Sequence, residues 1–493
     1  MLALPAVALA LVPLGFVLGY AGSTGAGELW RLVARPRTAE LLGNTARLTA
    51  SAMLACAVIG TAAAWLVERT TLPGRRVFNV LLTAPLAVPA FVNSFGWVSL
   101  TPRVEGFGGA VLIVTLSYYP LVYLPVAAAL RGLDPALEET AASLGRGRIA
   151  TFVGVVAPQL RPALLGGSLL VGLHLLAEFG ALQMLRFPTF TTAIYDQYQS
   201  TFNGPAASAL ATVLVLCCLL LLLADLRLRS GRRYARVGGG SARPAARQRL
   251  GRATAPVVVG LAGLVVLGLG VPLGSLAHWL VVGSSTAFPL GSLASTAATS
   301  ISLGLAAALL TSIAALPVAW LCERHRGRLS TLLERSTYFG SALPGIVVAL
   351  AFVTITIRYA RPLYQTTAML LATYMILFIP RAMISQRSAI AQAPPILDDV
   401  ASALGSGPLE RLRRVTLPLI APGVGAGAVL VFLAVVTELT ATLLLAPIGT
   451  RTLATEFWSK SSDIAYGAAA PYAALMVLIS APATLLLTRE VRR

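Results

Sequence analysis

Charged side chains are scarce along this chain. Asp, Glu, Lys and Arg make up 12% of its 493 residues, about half the share found in an average soluble protein. Apolar runs of about 20 residues recur along the whole length, and each can cross the roughly 30 Å hydrocarbon core of a bilayer as a helix. The composition therefore excludes a soluble globular protein and predicts an all-α polytopic membrane protein.

Lysine is nearly absent, since Lys460 is the only one in the sequence. A nucleotide-binding P-loop has the pattern G-x-x-x-x-G-K-[ST], in which the lysine contacts the phosphates. No such pattern occurs here, so we expect no ATP hydrolysis of this type and no enzyme activity in this chain. The net charge of +19 is explained by the arginine bias of cytoplasmic loops, without nucleic acid.

Cysteine is also rare, and none of the four has a spacing typical of metal ligands. They lie inside apolar runs, at Cys56, Cys217, Cys218 and Cys322. We interpret them as packing residues, not as a disulfide framework or a zinc site. The sequence predicts no cofactor and no firm metal site.

Twelve transmembrane helices are predicted from the apolar runs. They are expected at residues 3–21, 46–67, 77–100, 109–130, 162–185, 205–227, 255–280, 295–321, 335–357, 365–385, 422–446 and 466–488. Most arginines then lie on one side, so the positive-inside rule places both termini in the cytoplasm and the chain in the plasma membrane. The first run has no basic residue before it, which favours a retained helix over a cleaved signal peptide.

An Arg- and Gly-rich stretch separates the first six predicted helices from the last six. It spans 229–254, has no apolar period and predicts a flexible cytoplasmic linker. The remaining divisions are a first helix with its outer loop (1–43), a first domain (44–228), a seventh helix with its outer loop (255–292) and a second domain (293–493).

The two halves repeat each other in sequence. "WLVERT" (65–70) recurs as "WLCERH" (320–325), and "LEETAASLGRGRIATFVGVVAPQLRP" (137–162) pairs with "LDDVASALGSGPLERLRRVTLPLIAP" (397–422). Six helices per half is an even number, so both copies insert in the same orientation, as a parallel repeat. We therefore predict a pseudo-two-fold axis along the membrane normal and two matching polar segments on the cytoplasmic side.

Each polar segment predicts a short helix, a glycine and a second helix. In the first copy, Glu138 and Glu139 lie near the positive end of the helix dipole. Ala141 begins a small-residue surface that another backbone can approach, and Gly145 is a natural helix stop. A duplicated element of this kind predicts a docking site for a partner with two-fold symmetry.

The spacing of these segments resembles the "EAA" motif in the permease subunits of binding-protein-dependent ABC importers. The pattern E-x-A-x(3)-G-x(9)-[IV]-x-x-P corresponds to Glu139, Ala141, Gly145 and Pro158, and to Asp399, Ala401, Gly405 and Pro418, with Asp398 equivalent to Glu138. The resemblance implies a type I permease fold with two fused permease domains. It also implies that each motif helix inserts into a separate ATPase subunit, so that two ATPase copies and an external solute-binding protein are expected as partners.

Two further stretches resemble segments of ferric-iron ABC permeases. They are "AEFGALQMLRFPTFTTAIYDQY" (177–198) and "TELTATLLLAPIGTRTLATEFW" (437–458), and the resemblance implies import of Fe³⁺ by alternating access. Glu178 and Glu438 are predicted inside membrane spans, where an acid is by default a candidate functional group. The alternative is that each glutamate caps a break in its helix or pairs with an arginine such as Arg186.

Other transport functions fit parts of this pattern. The same machinery would serve thiamine, a polyamine or another small solute. An ion-coupled secondary transporter would use Glu178 and Glu438 as coupling sites, but it leaves the duplicated docking segments unexplained. A membrane-embedded enzyme is disfavoured, because no predicted span carries a His/Asp/Glu cluster suited to chemistry.

Overall fold

The computed structural model describes residues 11–16, 34–201, 203–229, 247–283, 289–324 and 343–490, together with single positions at 8, 19, 27 and 31 and within 327–337. In this part of the chain all regular elements are helices, apart from one isolated bridge between Thr70 and Gln248. The predicted all-α class is confirmed. Most of the predicted first helix (3–21) and of the linker lies outside the described residues.

Eleven helices cover the described first half. They are α1 (Pro36–Arg69), α2 (Arg75–Thr83), α3 (Ala90–Val98), α4 (Phe107–Tyr118), α5 (Pro120–Gly132), α6 (Ala136–Ser143), α7 (Arg148–Thr151), α8 (Ala157–Ala177), α9 (Gly180–Met184), α10 (Phe190–Gln199) and α11 (Gly204–Arg229). A π-helical turn, Phe152–Val156, joins α7 to α8, so this helix runs on from Arg148 to Ala177.

Eleven more helices cover the described second half. They are α12 (Thr254–Val265), α13 (Val271–Val282), α14 (Leu290–Arg324), α15 (Gly345–Tyr359), α16 (Thr367–Gln392), α17 (Pro395–Ala403), α18 (Pro408–Arg411), α19 (Leu417–Val436), α20 (Thr440–Leu445), α21 (Leu453–Ser462) and α22 (Tyr466–Glu490). Here too a π-helical turn, Leu412–Thr416, joins the short α18 to the long α19.

The described helices account for a multi-pass membrane protein. Seven helical stretches are long and apolar enough to cross a bilayer, or nine if each of two bent pairs forms one span. Two shorter apolar helices, Gly345–Tyr359 and Tyr466–Pro482, lie where the ninth and twelfth spans are predicted. Each predicted helix from the second to the twelfth thus has a counterpart.

Proline breaks two of the predicted spans. The prediction of one continuous helix over 77–100 is wrong, because the first segment ends at Ala87, α3 begins after Pro89 and the two parts are bent by 91°. Pro120 opens α5 directly after α4, with a bend of 40°. Proline lacks the N–H that continues a helix and its ring clashes with the preceding turn. Hydropathy therefore detects one apolar run where the backbone forms two helices.

Two further predicted helices begin and end earlier than expected. The helix predicted over 162–185 ends at Ala177, and the helix predicted over 422–446 ends at Val436. A short helix follows each break, so Glu178 and Glu438 lie between helices and not inside a continuous span. The run of apolar residues continues across both breaks, which is why the composition does not reveal them.

The chain forms two compact units, and neither is a continuous stretch of sequence. One is built around residues 36–193 and takes in α12 and α13, whereas the other is built around residues 290–476 and takes in residues 194–215. Within the first unit α13 packs closely on α3, since a Cβ added at Gly96 would lie 2.6 Å from the Cα of Pro272. The hydroxyls of Ser99 and Ser275 also bond at 2.8 Å.

Small residues bring the long helices of each unit together. In the second unit Gly423 and Gly427 of α19 face α16, and a Cβ added at Gly423 would lie 2.3 Å from the Cβ of Ala389. In the first unit Gly167 of α8 meets α5, where an added Cβ would lie 2.8 Å from the carbonyl oxygen of Leu121. Close backbone approach through small residues is a common way to pack helices in a membrane.

Candidate coupling segments and membrane glutamates

The helix α6 starts where proline and two carboxylates favour a start. The N–H groups of Glu138 and Glu139 donate to the carbonyl of Pro135 at 3.0 and 2.9 Å. Both acidic side chains lie in the first turn, at the positive end of the helix dipole. The second copy, α17, carries Asp398 in its first turn. The predicted short helices are therefore present in both halves.

Both short helices end in the same hydrogen-bonded turn. In α6 the N–H of Gly145 donates to Ala142 and that of Arg146 to Ala141, both at 3.0 Å. This pair of bonds defines a Schellman cap. Gly145 has a φ of 80°, a left-handed value that an L side chain adopts only with strain.

The second copy reproduces this cap. Gly405 N–H donates to Ser402 and Ser406 N–H to Ala401, again at 3.0 Å, and the φ of Gly405 is 82°. Gly145 and Gly405 are thus the residues that stop the two helices and turn the chain toward α7 and α18. We name the two segments, residues 136–158 and 395–418, the coupling segments.

An ion pair attaches the first coupling segment to its unit, whereas the equivalent residue of the second makes its contact within the segment itself. In the first, the carboxylate of Glu138 pairs with the buried guanidinium of Arg69 at 3.1 Å. In the second, the equivalent Asp398 accepts a hydrogen bond of 3.0 Å from the Thr416 hydroxyl. Arg324, equivalent to Arg69, donates to the carbonyl of Ala393 at 2.9 Å.

The coupling segments present a partly apolar face to their surroundings. Glu139 and Asp399 are exposed, whereas Ala141 and Ala401 are buried against their own unit. Ala141 is 6% exposed and Ala401 is 9% exposed, and their predicted place in the docking surface stays a prediction. Two apolar side chains beside them are strongly exposed, since Leu144 is 76% exposed and Leu404 is 81% exposed.

The exposure of these two leucines was not predicted, because a single leucine in a sequence does not indicate whether its side chain is buried or exposed. The signal that identifies them is the repeat, since each leucine directly precedes the capping glycine of its segment. Pro158 and Pro418 are the second residues of α8 and α19 and directly follow the π-helical turns.

Glu178 caps the helix that follows its break. Its Oε1 accepts a hydrogen bond of 2.9 Å from the N–H of Ala181, and its Oε2 accepts one from the hydroxyl of Tyr118. The main-chain carbonyl of Glu178 accepts a bond of 2.6 Å from Thr191. Arg186 pairs with Glu105 at 3.5 Å. Glu178 therefore caps a break in its helix, whereas Arg186 pairs with Glu105.

Glu438 makes the same cap in the second unit. Its Oε1 accepts a bond of 3.0 Å from Ala441 N–H, and its carbonyl accepts one of 2.8 Å from the Thr442 hydroxyl. The hydroxyl of Tyr374 lies 2.6 Å from that of Thr442. Arg381 lies close enough for its charge to interact with Glu438.

The two glutamates thus share a backbone role and differ in their side-chain neighbours. Phe378 is the repeat equivalent of Tyr118, and Leu121 is the repeat equivalent of Arg381. Glu178 therefore has a neutral hydroxyl beside it, while Glu438 has a cation. No group of three or more His, Cys, Asp or Glu side chains suited to a metal ion occurs among the described residues.

Comparison with known proteins identifies the class to which these features belong. Residues 56–234 and residues 315–493 each match the family described as "Binding-protein-dependent transport system inner membrane component". The matches cover more than half of the chain, and the chain belongs to this family. The expected resemblance to a permease with two fused domains is confirmed, and such a permease works with a solute-binding protein and an ATPase.

The chain is also similar in sequence to individual transport permeases. The chain is 39% identical over 472 residues to the Fe(3+)-transport system permease protein FbpB 2 of Haemophilus influenzae, covering 95% of this chain and 93% of that protein. It is 24% identical to the ferric transport system permease protein FbpB of Actinobacillus pleuropneumoniae, over 93% and 72%. It is also 32% identical to the sulfate transport system permease protein CysT of Salmonella typhimurium, over 45% and 88%.

Proposed function

We propose that this chain is the membrane permease of an ATP-binding-cassette importer for ferric iron. The observation that carries the proposal is the 39% identity, over 95% of the chain, to an Fe(3+)-transport system permease. Iron is the cargo, delivered by an external solute-binding protein. ATP is hydrolysed on separate ATPase subunits, so this chain moves the cargo without being an enzyme.

Two ATPase copies bind this chain in our proposal, one at each coupling segment, and both termini lie in the cytoplasm. The duplicated helices, their matching caps and their exposed leucines support two equivalent contacts. Closure of the ATPase pair on ATP would push on both segments. The first transmits force to the end of α1 through Arg69, and the second to the start of α19 through Thr416.

Glu178 and Glu438 contact the passing cargo in this proposal, in addition to capping a broken helix. A carboxylate is a hard oxygen ligand that suits Fe³⁺. Transport also requires that binding in the pathway be weak enough for release. Two single carboxylates with hydrogen-bonded neighbours meet that requirement better than a closed set of ligands.

The iron proposal is tested by Glu178→Gln and Glu438→Gln in proteoliposomes that contain the ATPase and the binding protein. Glutamine keeps an oxygen that can accept the capping bond but loses the charge. We expect ATP-driven uptake of radioactive iron to fall about tenfold or more, with assembly intact. Glu105→Gln, which removes the ion pair of a half-buried carboxylate with the exposed Arg186, serves as the control. Iron uptake equal to that of the control would show that the two glutamates cap helices and do not contact the cargo.

The coupling proposal is tested by the double variant Gly145→Ala and Gly405→Ala. A side chain in the left-handed region costs about 1–2 kcal/mol per residue, so both caps should loosen and ATPase binding should weaken. Gly147→Ala with Gly407→Ala is the matched control, because these glycines have open space around them and no positive φ. Equal ATP-driven transport in the two double variants would contradict the coupling role.

An oxyanion is the second candidate cargo. Two observations favour it, the 32% identity to a sulfate permease over 45% of the chain and the cation at Arg381 beside Glu438. Uptake assays with radioactive sulfate and molybdate, run beside iron, thiamine and a polyamine, distinguish the candidates. Uptake of sulfate or molybdate with no uptake of iron would replace the iron proposal.

A further inference from the structure

The end of the linker returns to the end of α1. The N–H of Gln248 donates to the carbonyl of Arg69 at 2.8 Å, and the N–H of Thr71 donates to the carbonyl of Gln248 at 3.0 Å. These two bonds hold Arg247 beside the turn that joins α1 to α2. Two segments that are far apart in sequence therefore meet at one point of the first unit.

A cavity of about 460 Å³ opens at this meeting point. Arg75, Arg76 and Arg247 line it, together with Thr70, Thr71 and Gly74. The described lining residues include no carboxylate. Three guanidinium groups and the Thr71 hydroxyl give the cavity hydrogen-bond donors with positive charge, whereas the Thr70 hydroxyl already donates to the carbonyl of Leu66.

The helix α2 begins at the same cavity. Its N-cap, Gly74, has a φ of 66° and gives the helix no side-chain cap. The first N–H groups of a helix lack partners within the helix, and they lie at the positive end of its dipole. Such an end favours an anion, and here it adds to the charge of arginines from two separate segments.

We propose that this cavity binds the phosphate group of an anionic ligand. The guanidinium fork of arginine matches phosphate geometry and gives strong charge-assisted hydrogen bonds. The phosphate belongs either to the headgroup of an anionic phospholipid or to a free phosphate compound. Basic pockets at the ends of transmembrane helices bind phospholipid headgroups in this way.

The ligand would join three parts of the first unit. Arg69 lies between them, because its side chain pairs with Glu138 of the coupling segment and its carbonyl accepts the bond from Gln248. A phosphate held by Arg75 and Arg247 fixes the linker end to the start of α2. It thereby stabilises the residue that anchors the first coupling segment.

The experiment uses the full chain in two kinds of nanodisc. One contains phosphatidylcholine alone, and inorganic phosphate is titrated into it. The other contains phosphatidylcholine mixed with phosphatidylglycerol. Native mass spectrometry counts retained phosphatidylglycerol, and calorimetry measures phosphate binding. Arg247→Gln is compared with Arg249→Gln, since both residues are exposed at the end of the linker and only Arg247 lines the cavity. We expect Arg247→Gln to weaken binding about tenfold or more and Arg249→Gln to leave it unchanged.

The arms of the experiment separate the sources of the phosphate. Selective retention of phosphatidylglycerol identifies a lipid headgroup, and binding of phosphate in phosphatidylcholine alone identifies a free compound. Either result supports the site if it depends on Arg247. Equal losses in the two variants would indicate unspecific attraction to a basic linker and overturn the proposal, as would binding of neither probe. Arg75→Lys, which keeps the charge, should retain part of the affinity.

Discussion

Glu178 and Glu438 occupy equivalent positions in the two repeats but have different neighbours. Each caps a short helix through the N–H three residues later. Tyr118 donates a hydrogen bond to the first, and the charge of Arg381 interacts with the second. Their equivalence could be predicted from the repeat, whereas a capped break was one of two alternatives to a cargo site, because the apolar run that continues past each glutamate does not decide between them. The neighbours come from other helices and are invisible to a local pattern.

The Tyr118 hydroxyl is expected to stabilise the first unit. Tyr118→Phe leaves a buried carboxylate oxygen without its donor, and such a loss costs about 1–3 kcal/mol. Thermal unfolding in detergent should show a lower free energy of unfolding, and iron uptake should fall as well. Tyr359→Phe is the control, since Tyr359 is exposed. If the two variants unfold alike, the hydroxyl contributes nothing measurable.

The sequence predicted where the membrane-spanning helices lie better than it predicted where they are bent or broken. Eleven of the predicted spans have counterparts because about 20 apolar residues are needed to cross a bilayer. The 91° bend before α3 was missed, since a hydropathy window averages over Pro89 and sees no interruption. The π-helical turns before α8 and α19 were missed as well, because nothing in their side chains marks them.

The close contact between α19 and α16 should be disturbed by a branched side chain at Gly427. An extra Cβ there would lie 3.3 Å from the Cα of Ala382, and overpacking of a tight interface costs about 1–3 kcal/mol. Gly427→Val should therefore lower the thermal unfolding temperature and the yield of folded protein. Gly425→Val, on the same helix and with open space around it, supplies the control. Equal unfolding temperatures would refute the argument.

On the scale of the whole molecule, our proposal gives the duplicated coupling segments one ATPase contact each. The repeat and the motif could be predicted from sequence, because glycine and the acidic residues recur with the same spacing. The orientation of each helix could not, since burial of Ala141 and exposure of Leu144 depend on what the segment packs against.

Loss of one exposed leucine should remove one ATPase contact. Leu144→Glu or Leu404→Glu places a charge on the apolar face offered to the partner, and the double variant does so twice. We expect each single variant to retain one ATPase copy in mass photometry, and the double variant to retain none. Ile448→Glu, at a residue 91% exposed outside the coupling segments, tests for a general effect of charge. Full occupancy in the double variant would rule out these leucines as contacts.

The packing of α13 against α3 limits how the two halves can be exchanged or separated. By sequence α13 lies after the linker, in the first helical stretch of the second half, yet its Pro272 packs against Gly96 of the first half. A chimera that joins this first half to the second half of another protein at the linker would therefore place a foreign helix against Gly96 in the position of α13. Splitting the gene at the linker would produce two fragments, and the second would carry the α13 that packs on α3 of the first. We therefore expect a folded protein only when both fragments are co-expressed.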